Sequence, residues 1–366
     1  MRIDAAVLRE PQGRFGIEQI DVDEPRCGEV LVRISGVGLC HTDMMVRAMP
    51  PGMVPLPMIF GHEGSGIVDS VGPGVVGFRP GDAVVMSFES CGHCHRCLAG
   101  EPAYCDHFDF LNASGRRLDG SSGAQDLSNV EVGGRWFGQS SFATHAIATE
   151  RNLVKITGDV PLELFGPLGC GVQTGAASVI MAMGVQPGDS IAIFGAGTVG
   201  LSAVMAAKVA GATTIVAIDL LASRRDLALE FGATHVVDGA DPDLAELVKD
   251  VADGGVMYSF DTTGVPKVIS AAVAALRVRG FCGLVGIGVE DLVLSPQALG
   301  AGRSISYLVE GGAVPQIFIP RMVELWRRGQ FPFDRLMQVY PLAQINEAEA
   351  DVIGGKTVKP ILVPGI

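Results

Sequence analysis

The sequence predicts an α/β protein of two domains, one rich in β-strands and one built on a doubly wound parallel sheet. Its 366 residues are enough for about two ordinary domains. The first 150 residues alternate short β-rich segments with Gly and Pro turns, whereas from about residue 172 apolar strands alternate with Ala-rich helical stretches. We expect one domain to comprise 1–170 with 310–366, and the other 171–309.

Strand predictions follow from short apolar or β-branched runs bounded by turns. In the first domain these runs include Val30–Ile34, Gly66–Val68 and Asp82–Val85. In the second domain strands are expected near Ile191–Phe194, Thr214–Ile218, His235–Val237, Val256–Phe260, Phe281–Ile287 and Ser304–Val309. An amphipathic helix is expected around Phe318–Arg328, and a last strand at Pro360–Val363 is expected to return to the first domain.

Composition excludes several classes of protein. The chain is 48% hydrophobic and only 18% charged, which is incompatible with a disordered chain. Its net charge of −13 and its lack of basic runs argue against nucleic acid or a membrane surface as a partner. The N-terminus lacks the apolar stretch of a signal peptide, so we expect a cytoplasmic protein whose eight cysteines serve a purpose other than disulfides.

A glycine motif follows the first strand of the second domain. Gly195, Gly197 and Gly200 form G-x-G-x-x-G between that strand and a helical run, the context in which glycines admit a pyrophosphate to a helix N-terminus. Asp219 ends the next strand, where an acid would accept hydrogen bonds from the adenosine ribose. A carboxylate there favours NAD over NADP, although the nearby Arg224 and Arg225 soften this preference.

Four cysteines lie in one polar loop. Cys91, Cys94, Cys97 and Cys105 have a spacing that can close a tetrahedron around zinc. A redox-active dithiol or an iron–sulfur cluster is the alternative, but no βαβ unit or further cysteine pattern surrounds the loop. Because four thiolates leave no open coordination position, this zinc is expected to be structural. His93 and His95, between the ligands, are expected to be surface residues.

Four motifs occur together in order: C-H-T-D at 40–43, G-H-E-x-x-G at 61–66, the four-cysteine loop and G-A-G-T-V-G at 195–200. In this combination the whole chain resembles the zinc-dependent medium-chain alcohol dehydrogenases. The resemblance implies a β-rich GroES-like catalytic domain and a Rossmann domain for the cofactor. It also implies two zinc ions and NAD as cofactors.

The resemblance further implies a catalytic zinc held by Cys40, His62 and Cys170, with the fourth position open to water or alcohol. Glu63 would lie just behind the metal, and Asp43 would accept the second ring N–H of His62, fixing its tautomer. A surface salt bridge is the alternative for either acid. The two remaining cysteines are expected to be plain thiols: Cys27 and Cys282.

The resemblance also implies which residues transfer the proton and bind the cofactor. Thr42 would link the alcohol proton to the cofactor ribose, and Lys359 would join the cofactor-binding residues. Where many family members have a relay histidine, this sequence has Met45, which cannot titrate. His41 could serve as the base instead, or it could contact the cofactor phosphates.

The segments 137–144, 167–171 and 314–320 resemble the benzyl (aryl) alcohol dehydrogenase branch. The expected reaction is reversible oxidation of a primary aromatic alcohol to the aldehyde with hydride transfer to NAD. An allylic terpenoid alcohol such as geraniol is the alternative substrate, and Phe88, Met45 and Leu308 are candidates for the pocket lining. A non-catalytic nucleotide-binding relative or a zinc-free quinone reductase would not need the intact zinc ligands. The expected partners are a small alcohol or aldehyde and further copies of the chain, in a homodimer or homotetramer.

Overall fold

A computed structural model describes residues 1–50, 52–288 and 290–365. The chain forms two compact units: Met1–Cys170, Val314–Val323 and Phe333–Ile366 make the first, and Gly171–Ala313 with Glu324–Pro332 the second. Residues 310–313 and 324–332, which the sequence placed in the first domain, therefore group with the second unit. At 310 the reason is local, because Glu310 accepts hydrogen bonds from Gln173 and Thr174.

Short strands dominate the first part of the chain, as the frequent Gly and Pro turns of the sequence predict. They are β1 (Arg2–Leu8), β2 (Gly16–Val22), β3 (Glu29–Gly38), β4 (Met58–Ile59), β5 (Gly64–Val71), β6 (Ala83–Met86), β7 (Ala124–Asp126), β8 (His145–Thr149) and β9 (Leu153–Ile156). The helices among them are α1 (His41–Ala48), α2 (His95–Leu98) and α3 (Phe108–Ala113).

Strands and helices alternate in the second unit. They are α4 (Gly171–Ala177), β10 (Ser190–Phe194), α5 (Thr198–Ala210), β11 (Thr214–Asp219), α6 (Ala222–Phe231), β12 (His235–Asp238), α7 (Leu244–Val251), β13 (Val256–Asp261), α8 (Pro266–Ala274), β14 (Leu276–Leu284) and β15 (Ser304–Tyr307). The strand expected at Phe281–Ile287 thus begins and ends earlier, at Leu276 and Leu284. The chain finishes with α9 (Pro315–Arg327), β16 (Met337–Pro341), α10 (Ile345–Ile353) and β17 (Lys359–Val363).

Two sheets form the first unit. The larger has the order β16-β17-β3-β5-β6-β9, with β8 also paired to β3, and the smaller has the order β4-β1-β2-β7. The last strand returns to this unit, because Ile361 and Leu362 of β17 pair antiparallel with Gly38 and Val37 of β3. Buried aliphatic and aromatic side chains from both sheets form one core.

The second unit contains a single parallel sheet in the order β12-β11-β10-β13-β14-β15. The strand order reverses direction beside β10, and in such sheets ligands bind at the carboxyl ends of the strands at this point. The glycine motif follows β10 directly, so the topology places it there. Among the described residues, no helix is both long and apolar enough to cross a bilayer.

Candidate active site

Three separate segments of the first unit bring together four potential metal ligands. Cys40 lies between β3 and α1, His62 and Glu63 lie between β4 and β5, and Cys170 lies directly before α4. One ligand atom of each residue lies within 4.8 Å of the others. The structure therefore assembles Cys40, His62 and Cys170, the set that the resemblance implied, with Glu63 beside them.

His62 has the surroundings of a metal ligand. Its buried Nε2 has no hydrogen-bond partner among the described residues, while Nδ1 lies 2.9 Å from Oδ1 of Asp43. A carboxylate can only accept, so Nδ1 carries the proton and Nε2 the lone pair of the neutral ring. Burial lowers the pKa of His62, but Asp43 and Cys40 outweigh it and the net pKa lies well above its usual range. The negative charges of Asp43 and Cys40 favour a positive charge at Nε2, and a metal dication bound there would supply it.

The Cys40 thiol is prepared for the same ion. A hydrogen bond with Cys170 lowers the pKa of Cys40 well below its usual range, and Lys359 and His62 act in the same direction. Deprotonated thiolates are the form in which cysteine binds zinc. The donor set, two sulfurs and one imidazole nitrogen, is of the kind that binds zinc.

Asp43 is a fully buried acceptor for donors from three parts of the chain. Besides His62, its Oδ1 accepts from the indole Nε1 of Trp136 at 2.9 Å and from the N–H of Gly61 at 3.3 Å. Its Oδ2 accepts from the N–H of Cys40 at 3.3 Å. Trp136 thus orients the carboxylate that orients His62. Trp136 was not predicted from the sequence, because no local spacing connects it to the C-H-T-D motif.

Glu63 and Lys359 form an ion pair inside the site. Glu63 Oε2 lies 2.6 Å from Nζ of Lys359, which also donates to the carbonyl of Leu39 at 3.1 Å. Burial raises the pKa of Glu63 against the opposing effect of Lys359. The structure places the ammonium group of Lys359 against Glu63 with the side chain buried, and its expected place among the cofactor-binding residues stays a prediction. A buried ammonium group requires such a counter-charge.

Thr42 and His41 occupy the first turn of α1. The hydroxyl of Thr42 lies 3.8 Å from the Sγ of Cys40, next to the ligand set. His41 is the first residue of the helix and is exposed. A proton-accepting base and a contact to the cofactor phosphates must both be accessible to solvent. Both roles of His41 therefore stay predictions.

An aromatic series leads away from the zinc ligands. Phe137 stacks on His62 with ring centroids 4.4 Å apart and planes at 25°. Phe108 meets Phe137 edge-on at 6.5 Å, and Phe88 lies 5.7 Å from Phe108. Phe137 adopts a left-handed backbone with φ of 50°, an uncommon conformation for a bulky residue and one that accumulates at functional sites.

The structure also brings together the sulfur atoms of the four-cysteine loop. The four sulfur atoms lie within 4.8 Å of one another, and those of Cys94 and Cys105 are 4.0 Å apart. Zinc–sulfur bonds of about 2.3 Å place the sulfurs of a tetrahedral site about 3.8 Å apart, so the cage fits zinc. The backbone N–H groups of Asp106 and Cys97 lower the pKa of Cys94 to about 6, whereas burial raises the pKa of Cys105 to about 12.

The glycine motif of the second unit forms a cradle at the start of α5. Gly195 has φ of 93°, and a Cβ on Gly200 would lie 1.8 Å from the carbonyl oxygen of Gly195. A Cβ on Gly197 would meet no atom within 4 Å, so the backbone is open to a ligand there. No side chain caps this helix start, and the N-terminus of a helix attracts phosphate oxygens through its dipole and its backbone N–H groups.

Asp219 connects the end of β11 to that cradle. Its carboxylate accepts from the N–H of Ala196 at 2.7 Å and from the N–H of Leu221 at 2.9 Å. Arg225 donates to the carbonyl of Asp219 at 2.7 Å and forms an ion pair with Asp238 at 3.1 Å. Burial lowers the pKa of Arg224, and the charge of Asp219 opposes this shift. Acidic and basic groups are therefore adjacent at the ribose end of the cradle.

Comparison with known proteins identifies the family. Residues 26–158 match the family model described as "Alcohol dehydrogenase GroES-like domain", and residues 198–323 match the one described as "Zinc-binding dehydrogenase". A geraniol dehydrogenase of Castellaniella defragrans is 47% identical over 98% of this chain and 97% of its own length. The chain belongs to the zinc-dependent medium-chain alcohol dehydrogenase family.

Solved structures of this family include two that superimpose on nearly the whole chain. An alcohol dehydrogenase zinc-binding domain protein from Burkholderia ambifaria has a TM-score of 0.96 and 46% identity, covering 99% of each chain. Benzyl alcohol dehydrogenase from Acinetobacter calcoaceticus has a TM-score of 0.95 and 42% identity, covering 100% of each chain. The GroES-like and Rossmann-type α/β fold expected from the sequence is thus confirmed.

Proposed function

We propose that this zinc alcohol dehydrogenase oxidises primary alcohols whose carbinol carbon is attached to a flat unsaturated group, with benzyl-type alcohols as the principal substrates and NAD as the hydride acceptor. The observation that carries the proposal is the aromatic series that begins with Phe137 stacked on the ligand His62. Aromatic faces and edges favour flat π-systems over saturated groups of similar size. The likeness to benzyl alcohol dehydrogenase along the full chain supports the same substrate class.

Two zinc ions per chain belong to this proposal. Cys40, His62 and Cys170 would hold the catalytic ion, and the four-cysteine loop would hold the structural one. When bound, zinc supplies a Lewis acid for the alcohol oxygen and NAD supplies the hydride acceptor. Gly195, Gly197 and Gly200 fit a pyrophosphate, and Asp219 favours the unphosphorylated ribose.

The residues of the chain itself orient groups and move the proton. Asp43 holds His62 in one tautomer, and Trp136 holds Asp43. The Thr42 hydroxyl, beside Cys40, is the group that would accept the alcohol proton and pass it outward. Phe137 covers one face of the His62 ring and excludes water from it.

The decisive experiment compares matched alcohols. The proposal expects kcat/KM for benzyl alcohol to exceed that for cyclohexylmethanol, which has the same ring size without the π-system, by about tenfold, equivalent to about 1.4 kcal/mol of aromatic interaction. Phe137→Leu should remove most of this ratio while leaving oxidation of cyclohexylmethanol nearly unchanged. Equal kcat/KM values for the two alcohols would contradict the substrate assignment.

Geraniol is the second candidate, because the 47% identical relative bears that activity in its name. Its allylic carbinol meets the same demand for an adjacent π-system. A higher kcat/KM for geraniol than for benzyl alcohol would select this alternative. Cys170→Ser is the common control, since it should remove one zinc and abolish turnover of both alcohols while the fold is retained.

A further inference from the structure

Two exposed histidines, one within the four-cysteine loop and one just after it, have no role in the proposed reaction. His93 lies between Cys91 and Cys94, and His107 lies two residues after Cys105. A ring nitrogen of each lies within 4.8 Å of the other and of the Cys91 sulfur. The structure therefore assembles a second donor set, of two imidazoles and one cysteine sulfur, at the four-cysteine loop.

We propose that His93, His107 and the thiolate of Cys91 bind an additional divalent ion of the zinc class. The ion would share the Cys91 sulfur with the structural zinc and would complete its coordination with water. The proposal rests on the four-cysteine zinc of the proposed function.

One hydrogen bond fixes His93 in a tautomer that can bind a metal ion. Its Nδ1 lies 2.9 Å from the carbonyl oxygen of Cys91. A carbonyl can only accept, so Nδ1 carries the proton and the lone pair resides on Nε2. An imidazole whose second nitrogen donates to a backbone carbonyl is the usual arrangement of a metal-binding histidine. His107 is held nearby, because its backbone N–H lies 3.4 Å from the Cys105 sulfur.

Charge also favours a second cation. Four thiolates around one zinc dication leave an excess of two negative charges, and a thiolate sulfur has further lone pairs with which to bridge. Asp106 and Asp109 lie on either side of His107 in the sequence and are exposed. Nitrogen and sulfur donors select zinc, cobalt or copper over magnesium or calcium.

The exposure of its ligands also predicts how this site differs from the other two sites. His93 and His107 are exposed, so the ion exchanges with solvent and is lost on dialysis against a mild chelator, whereas the structural zinc is retained. An open water position is typical of zinc sites with three protein ligands.

The test is a titration of the purified, zinc-loaded enzyme with Zn²⁺ alone, followed by calorimetry and by metal counting after gel filtration. The expected result is one further ion per chain, bound at least roughly tenfold more weakly in His93→Gln and in His107→Gln, since loss of a ligand costs no less than loss of its outer partner. His95→Gln is the matched control, because His95 is exposed in the same loop but lies outside this set, and its binding should be unchanged.

Cobalt separates shared thiolate ligation from simple histidine binding. Added Co²⁺ should produce a thiolate-to-cobalt charge-transfer absorption in the native enzyme and in His95→Gln, but not in the variant lacking both His93 and His107. No additional ion, an additional ion retained by that double variant, or cobalt binding without the thiolate band would each overturn the proposal. An isolated enzyme with fewer than two zinc ions would contradict the proposed function instead. Alcohol oxidation should be unaffected in all three single variants.

Discussion

Trp136→Phe is expected to weaken the catalytic zinc site although Trp136 is not a metal ligand. The substitution keeps an aromatic ring but removes the indole N–H that donates to Asp43 at 2.9 Å. A buried hydrogen bond to a charged acceptor contributes about 1.5–3 kcal/mol, which corresponds to roughly 10–150-fold in an equilibrium constant. Removal of outer partners of metal ligands costs about 10–100-fold in metal affinity or activity, so the two ranges agree.

The assay measures zinc release to a competing chelator together with kcat for benzyl alcohol. The unaltered enzyme, which keeps both of its tryptophans, is the parent for this comparison. We expect faster zinc release and a kcat reduced by about 10–100-fold, with KM for NAD unchanged.

The thermal midpoint separates a local effect from general unfolding. Trp136 also packs edge-on against Phe60 at 5.0 Å, so some loss of stability is expected. If zinc release and kcat both remain within about twofold of the parent, the indole contributes less than roughly 0.4 kcal/mol and the orienting role is refuted.

Three other predictions concern the structural zinc, cofactor choice and pH. Cys97→Ser should lose one zinc ion, and even about 3 kcal/mol of lost metal binding should lower the thermal midpoint of the chain by roughly 4 °C in calorimetry. Asp219→Gly should raise the NADP-to-NAD ratio of kcat/KM by roughly fivefold or more, because it removes a repulsion of about 1–4 kcal/mol while Arg225 remains nearby; an unaltered enzyme that already prefers NADP would contradict this. Arg117→Met should cost about 3–5 kcal/mol in urea unfolding, since it leaves the buried Glu29 carboxylate without its two-point partner at 2.6 and 3.0 Å. Burial tends to raise the pKa of Glu29, but Arg117 holds this pKa below its usual range. The native pair therefore stabilises the fold at pH values above the usual pKa of a glutamate, and this contribution is lost as the pH falls through the lowered pKa. In the variant the folded-state pKa should rise instead, so stability should increase as the pH falls from 7 to 5, and Glu29→Gln in the same background should abolish that trend.

The spacing of residues in the sequence was sufficient to predict a site where the candidate residues lie within a short stretch of chain. The four cysteines from Cys91 to Cys105 and the glycines from Gly195 to Gly200 were identified in this way. A few residues of connecting chain keep such groups close in any compact fold, and few conformations satisfy the spacing.

The catalytic ligand set needed more than spacing. Cys40, His62 and Cys170 come from segments far apart in the chain, and the family resemblance rather than periodicity suggested that they meet. Each motif taken alone is equally compatible with a buried thiol or a histidine in a core. The terminal strand β17 was predicted to return to the first domain, and its pairing with β3 is what brings Lys359 to Glu63.

Only the tertiary structure decided the contacts between distant polar groups. Trp136 and Asp43 are 93 positions apart, and nothing in either segment indicates that one carboxylate would accept from both an indole and His62. His93 and His107 are close in sequence, yet their approach to Cys91 depends on how the loop closes around its four sulfurs. A sequence determines which donors and acceptors are available, whereas burial and direction determine which of them meet, and these depend on the packing of the whole unit.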